Sequence, residues 1–239
     1  LTSSSALENT VTIGAGGVLN YAAASGPNTW PGGFAPEGDG LITVASTVTM
    51  GTVATDTVWI SRLNHSGTLI GPATLMITDT LNWNGGTIGG SGVLSIPDTV
   101  VMNIITTSTL TGRALENAGT VNWSDGYFTV ADGASIDNQV GAVFDMQANS
   151  QFQTSGTVPP FNNEGTLLYT GAFEKPISIA INNIGTFDIQ SAQVTMNEDL
   201  TSTGTVNIGD GAGLLLNSSS AIENTVTIGA GGVLNYAAA

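Results

Sequence analysis

Apolar and polar residues alternate in short runs along this chain, and many of the runs follow the same bend. Five segments show it: LENAGTVNW (115–123), FNNEGTLLY (161–169), INNIGTFDI (181–189), LTSTGTVNI (200–208) and IENTVTI (222–228), the last lacking two residues around the glycine. After each threonine, Val121/Trp123, Leu167/Tyr169, Phe187/Ile189, Val206/Ile208 and Val226/Ile228 face one way. Asn122, Leu168, Asp188, Asn207 and Thr227 face the other. A period of two with one apolar face predicts strands buried on one side.

The bends recur at a fixed interval. Thr166, Thr186, Thr205 and Thr225 follow one another at 20, 19 and 20 residues. Thr120 stands 46 residues before Thr166, room for two turns, with GAVFDM (141–146) between them. TLNW (80–83) falls 40 residues before TVNW (120–123), with TVVM (99–102) midway. A second apolar patch follows each bend at Phe128–Val130, Phe173, 194–196, 214–216 and Val233–Leu234; a third precedes the next at Ile136, Ile177–Ile181 and Leu200. Three short strands per coil of about 20 residues, punctuated by Gly, Asn and Asp, predict a parallel β-helix. No sustained helical stripe is visible. One such coil cannot bury its apolar residues alone, so coils stack into a continuous core, with equivalent side chains ~4.8 Å apart. Asn117, Asn163, Asn183 and Asn224, each before the bend, are expected to form a ladder of amides, because Asn tolerates left-handed backbone and can bond to neighbouring coils.

A longer period lies over the short one. Residues 1–24 (LTSSSALENTVTIGAGGVLNYAAA) return as 216–239 (LNSSSAIENTVTIGAGGVLNYAAA), differing only at Thr2/Asn217 and Leu7/Ile222. The offset of 215 residues marks a tandem period of ten or so coils, ~50 Å of rod. The chain reads as a single continuous β-helix over 1–239 that overruns one period by about one coil. The pattern is less regular in 25–70. Residues 25–40 (SGPNTWPGGFAPEGDG) hold too many prolines and glycines for a regular strand and are expected to project as a loop, with Trp30 and Phe34 as candidate anchors for a partner or a sugar ring. The alternative for these two is to fold back over the coil. Trp59, Trp83 and Trp123 fall at inward positions and are expected in the core.

Composition narrows the function. Only 9% of residues are charged and the net charge is −15, with Arg62, Arg113 and Lys175 as the only basic side chains and His65 the one histidine. Nucleic acid and anionic membrane need clustered Lys and Arg, so neither is an expected partner. No apolar run reaches the ~20 residues of a membrane span. There is no cysteine.

The ~20-residue coils, N-x-G-T bends and Thr/Ser/Asn faces resemble bacterial surface β-helices: filamentous-haemagglutinin-like adhesins, autotransporter passengers and giant tandem-repeat surface proteins. The resemblance covers most of the chain and is generic in its motif. It implies a right-handed solenoid and a structural role outside the cell or on its surface: a stalk, adhesin shaft or self-associating filament. Its partners would be neighbouring repeats or identical subunits end to end, with lateral self-association or a glycan as further contacts. No cofactor, metal or catalytic residue is expected.

The rival reading is a pectin-lyase-like polysaccharide-degrading enzyme, which shares the fold. Inverting hydrolysis needs two carboxyl groups ~6.5–9.5 Å apart, and no paired-Asp motif occurs; Asp125, Asp132 and Asp137 stand at turn spacing. Arg113 is the candidate base of a lyase and is otherwise a solvated rim residue; His65 reads as a surface turn residue. A calcium-binding β-helix would stack acids on neighbouring coils, whereas the pre-bend position runs Glu116, Asn162, Asn182, Thr201, Glu223. Ice binding needs Thr-x-Thr repeated in successive coils, and the instances at 10–12, 47–49 and 225–227 do not recur in that way.

Overall fold

The computed structural model describes residues 10–22 and 28–237, and over these the chain is all strand and turn, with no helix. Every strand pairing is parallel. Strands fall into three stacks along one axis, making a β-solenoid of about 11 turns of about 20 residues. One sheet of 11 strands forms one side, from Asn28–Trp30 to Val233–Tyr236. The other two sides merge into an 18-stranded sheet, because Thr57–His65 and Thr74–Trp83 run through the bend between them. A register shift between Ile60 and Arg62 marks that bend.

The expected threonine register is found. Thr120 lies opposite Val143, then Thr166, Thr186 and Thr205 follow in successive coils. The strand near 100 starts two residues later than TVVM suggests, at Val101–Ile104, paired with Thr80–Trp83. A slip of two keeps each side chain on its face, so the apolar pattern alone does not choose between them.

Inward positions fill the core: Val121/Trp123, Phe144/Met146, Leu167/Tyr169, Phe187/Ile189 and Val206/Ile208 are all buried. Aromatic rings concentrate in the middle, where Phe152 packs edge-on to Trp123 at 5.4 Å and Phe144 edge-on to Phe161 at 5.2 Å. Trp59 and Phe173, both expected inside, lie outside it, as does Ile228 on the last described coil, 47% exposed. Trp59 is 42% exposed, since it is the outward member of the alternation Val58-Trp59-Ile60. Phe173 is 64% exposed, because the inward strand there is Lys175–Ile177.

Residues 28–40 do not project. Asn28–Trp30 is a strand paired in parallel with 48–50, and the turns after it bond to both neighbouring coils: Glu37 N–H to Val11 O at 2.8 Å, and Gly33 N–H to Thr57 O at 2.9 Å. Residues 25–27 of the expected loop lie outside the described residues, as do 1–9, 23, 24, 238 and 239 of the repeated segments.

The two repeated segments occupy different faces. Val18–Tyr21 pairs with Leu41–Val44 in the 18-stranded sheet. Its copy Val233–Tyr236 pairs with Gly213–Leu216 in the 11-stranded sheet. The face held by 18–21 is taken at the other end by Val226–Ile228, which copies 11–13. The 215-residue period therefore advances ten whole coils and one further face.

Candidate functional site

The most ordered polar feature is inside the bend. Asn117, Asn138, Asn163 and Asn183 end successive strands on one face and point inward, all buried. Asn117 Nδ2 donates to Asn138 Oδ1, Asn138 to Asn163 and Asn163 to Asn183, each at 2.7 Å; Asn183 donates to Ser202 Oγ at 2.9 Å. The second amide proton of each goes to the carbonyl of Val143, Thr166, Thr186 or Thr205. Buried amides cost little when every donor is matched, and here they are. Asn138 was not evident from sequence because its bend reads Asn-Gln-Val-Gly-Ala; its place before GAVFDM is the signal. Asn224 is not a member: Ile222 faces Ser202, and Asn224 is exposed, donating to Thr203 O at 2.8 Å.

A second ladder runs outside. Asn82 donates to Asn64 at 3.0 Å, Asn103 to Asn82 at 2.9 Å and Asn122 to Asn103 at 3.1 Å, in the opposite direction. The recurring x-Asn-x of LNH, LNW, MNI and VNW encodes it.

Beside the inner ladder lies a groove of about 850 Å³. Glu116, Asp137, Asn162, Asn182 and Thr201 form its floor, and Glu164 adds a third carboxylate. Glu116 sits directly opposite Asp137 on the next coil, so acids do stack on neighbours here. The sequence reading missed this by passing over the coil between 117 and 163. Asn162 Nδ2 donates to Asp137 Oδ1 at 2.7 Å, and Asn182 to Asn162 at 3.1 Å. Val140 and Ile184 rise on the rim, 78% and 64% exposed. Such a lining suits hydroxyl-rich or cationic ligands. Among the described residues, no three His, Cys, Asp or Glu side chains cluster in a way that could hold a metal ion.

The candidate bases are elsewhere and inside. Arg113 is buried, not a rim residue: Nε donates to Gly89 O at 2.9 Å, Nη1 to Ala73 O and Val93 O at 2.9 and 2.8 Å, and Nη2 to Gly71 O at 2.7 Å. It ties its own coil to the two preceding coils through their carbonyls, and burial pulls its pKa down to about 10. Lys175 is also buried; its Nζ donates to Ala148 O and Ser150 O, and burial pulls its pKa down to about 7. His65 is buried rather than on a surface turn, inward between Val44 and Trp83, with Nε2 3.1 Å from Thr87 O. Burial lowers its pKa to about 4, so it is neutral at pH 7. Arg62 alone of the basic side chains is exposed, 3.7 Å from Asp79.

Trp30 and Phe34 are not surface anchors. Trp30 is fully buried, stacked on Phe34 at 5.4 Å and edge-on to Tyr21 at 5.6 Å; Phe34 is 5% exposed. Two large apolar rings cover the first coil instead of facing water. On the 11-stranded sheet, Thr47, Thr68, Thr87, Thr109 and Thr129 form one outward column over five coils. The column beside it is broken by Ile70 and Gly89, so no continuous Thr-x-Thr lattice exists.

No protein-family model, no curated protein and no solved structure matches this chain.

Proposed function

We propose that the chain is a structural segment of an extracellular tandem-repeat protein, a stiff rod that provides length rather than chemistry. The observation that carries this reading is the recurrence of residues 8–24, unchanged, at 223–239 on a solenoid with no break in its core. Each coil adds ~4.8 Å, so one period adds ~50 Å. The buried amide ladder and the Arg113 clamp tie neighbouring coils together, which favours stiffness over hinge motion. Catalysis is not part of the proposal. Two of the three basic residues have their protons committed to backbone carbonyls, and the third, Arg62, does not line the groove at Glu116 and Asp137.

The test is the native assembly. Electron micrographs of source material should show thin rods whose length rises in steps of ~50 Å. Globular particles would remove the proposal, and a native polypeptide no longer than this chain would leave only separate subunits docked end to end. The groove at Glu116 and Asp137 favours one competing reading, cleavage of a polysaccharide. That reading requires depolymerising activity that Asp137→Asn abolishes while the fold persists.

A further inference from the structure

The groove at Glu116 and Asp137 has a regular floor. One column of outward side chains runs over five successive coils: Glu116 lies opposite Asp137, Asp137 opposite Asn162, Asn162 opposite Asn182 and Asn182 opposite Thr201. Rungs follow at ~4.8 Å, so the floor extends ~19 Å along the rod. The wall beside it stands at the bend, where the N–H groups of Glu164 and Ile184 bond to Asn138 O and Asn163 O of the coils before. The floor is also polarised. Asn182 Nδ2 donates to Asn162 Oδ1 and Asn162 Nδ2 to Asp137 Oδ1, so the amides pass their donors toward the acids. Both Glu116 oxygens, Asp137 Oδ2 and Asn182 Oδ1 take no hydrogen bond from the described residues. None of Arg62, Arg113 and Lys175 lines the groove, so its three carboxylates face no cation of the chain. One end is therefore anionic, and the other is neutral and rich in amide and hydroxyl groups.

We propose that this groove binds a linear, hydroxyl-rich glycan carrying free amino groups, at one sugar per coil. The charge selects the amine. Ammonium groups pair with Glu116, Asp137 and Glu164, where an acidic polysaccharide is repelled. The spacing selects the polymer. An extended peptide advances ~3.3 Å per residue and loses step with rungs ~4.8 Å apart within two residues. An extended β-1,4-linked pyranose chain advances by nearly one rung per sugar, so the same contact recurs on each coil. Its hydroxyls pair with Asn182 Oδ1 and the Thr201 hydroxyl at the neutral end, and the apolar face of a ring rests on Ile184. A polyamine satisfies the acids but leaves those neutral rungs unused. The proposal goes beyond the rod reading and does not depend on it.

The test is calorimetric titration of the chain with β-1,4-linked glucosamine oligomers. The pentamer should bind, and more weakly as salt screens the carboxylates. Binding should also fade as pH rises past the pKa of the sugar amine. Asp137→Asn should weaken it about tenfold, the loss of one charge-assisted hydrogen bond. Asp39→Asn, an exposed acid outside the groove, should leave it unchanged. Thr201→Val should weaken the pentamer but not the trimer, which ends at Asn162 when its amines sit on the acids. Circular dichroism of each variant separates lost binding from lost fold. No binding of the pentamer at millimolar concentration overturns the proposal. A fully N-acetylated pentamer that binds equally well overturns the role of the carboxylates. Spermine that binds as tightly as the pentamer overturns the glycan in favour of a general cation surface. A Thr201→Val chain that loses trimer and pentamer alike overturns one sugar per coil. Cleavage of the pentamer overturns simple binding in favour of the enzymatic reading. None of these outcomes decides whether native material is a rod, which electron micrographs test separately.

Discussion

The Lys175 ammonium lies 3.3 Å from the centroid of the Trp123 ring, with the carbonyls of Ala148 and Ser150 taking protons at 2.8 and 2.5 Å. Among the described residues no carboxylate forms an ion pair with it. The ring face and two carbonyls hold a charge that burial disfavours.

A pH dependence follows. Lys175 has a pKa of about 7 in the fold, against ~10.4 in an unfolded chain. Between these values the unfolded state binds one more proton, so stability climbs with pH from about 7 to ~10, by at most ~1.4 kcal/mol per unit. Below about 7 both states are charged and the contribution is constant. His65 adds a second rise of the same sign, from about 4 in the fold to ~6.5 unfolded. Calorimetry from pH 4 to 10 should show both rises. Lys175→Met should remove the upper one and leave the lower.

The amide ladder should be worth more than any surface polar contact. Asn163→Ala strips a donor from Asn183 Oδ1 and from the Thr186 carbonyl, and an acceptor from Asn138. Leaving buried groups unmatched should cost about 2–4 kcal/mol. Asn224→Ala, on an exposed residue, should stay within about 0.5 kcal/mol. Urea unfolding of the two variants side by side checks the difference; equal losses would show that the buried ladder is not continuous.

Glu116 and Asp137 face one another on adjacent coils. Like charges directly opposite destabilise a sheet by roughly 0.2–1 kcal/mol. Glu116→Gln should therefore raise the melting temperature at low salt, and the gain should shrink as salt screens the pair. A gain that ignores salt would assign the effect to packing instead.

How much of this could be read in advance depends on what the period of two encodes. The apolar/polar alternation after each threonine specifies face and spacing, so the solenoid, its coil length and three of the ladder asparagines were legible. Coil membership is weaker. Asn138 sits on a bend with two extra residues, and overlooking that coil hid both the fourth rung and the Glu116–Asp137 pair. The basic residues were misread for another reason. Arg113 looks like a solvated charge by type, and only the folded chain brings the carbonyls of Gly71, Ala73, Gly89 and Val93 around it. Residues 25–40 misled because proline and glycine announce a turn but say nothing about whether rings within it face the core.

Trp30 decides that last point experimentally. Its ring is buried between Tyr21 and Phe34, while Trp59 is the one tryptophan of four with substantial exposure. Acrylamide should therefore quench a single tryptophan, and Trp59→Phe should abolish that fraction while leaving stability nearly unchanged. Trp30→Ala should instead cost about 3–5 kcal/mol, the cost of emptying a large core site. The loss should show as early exchange of the amides in 10–22 and 34–44, which the ring holds together. A Trp30→Ala protein that unfolds like the parent, with Trp30 open to quencher, would restore the segment to the surface.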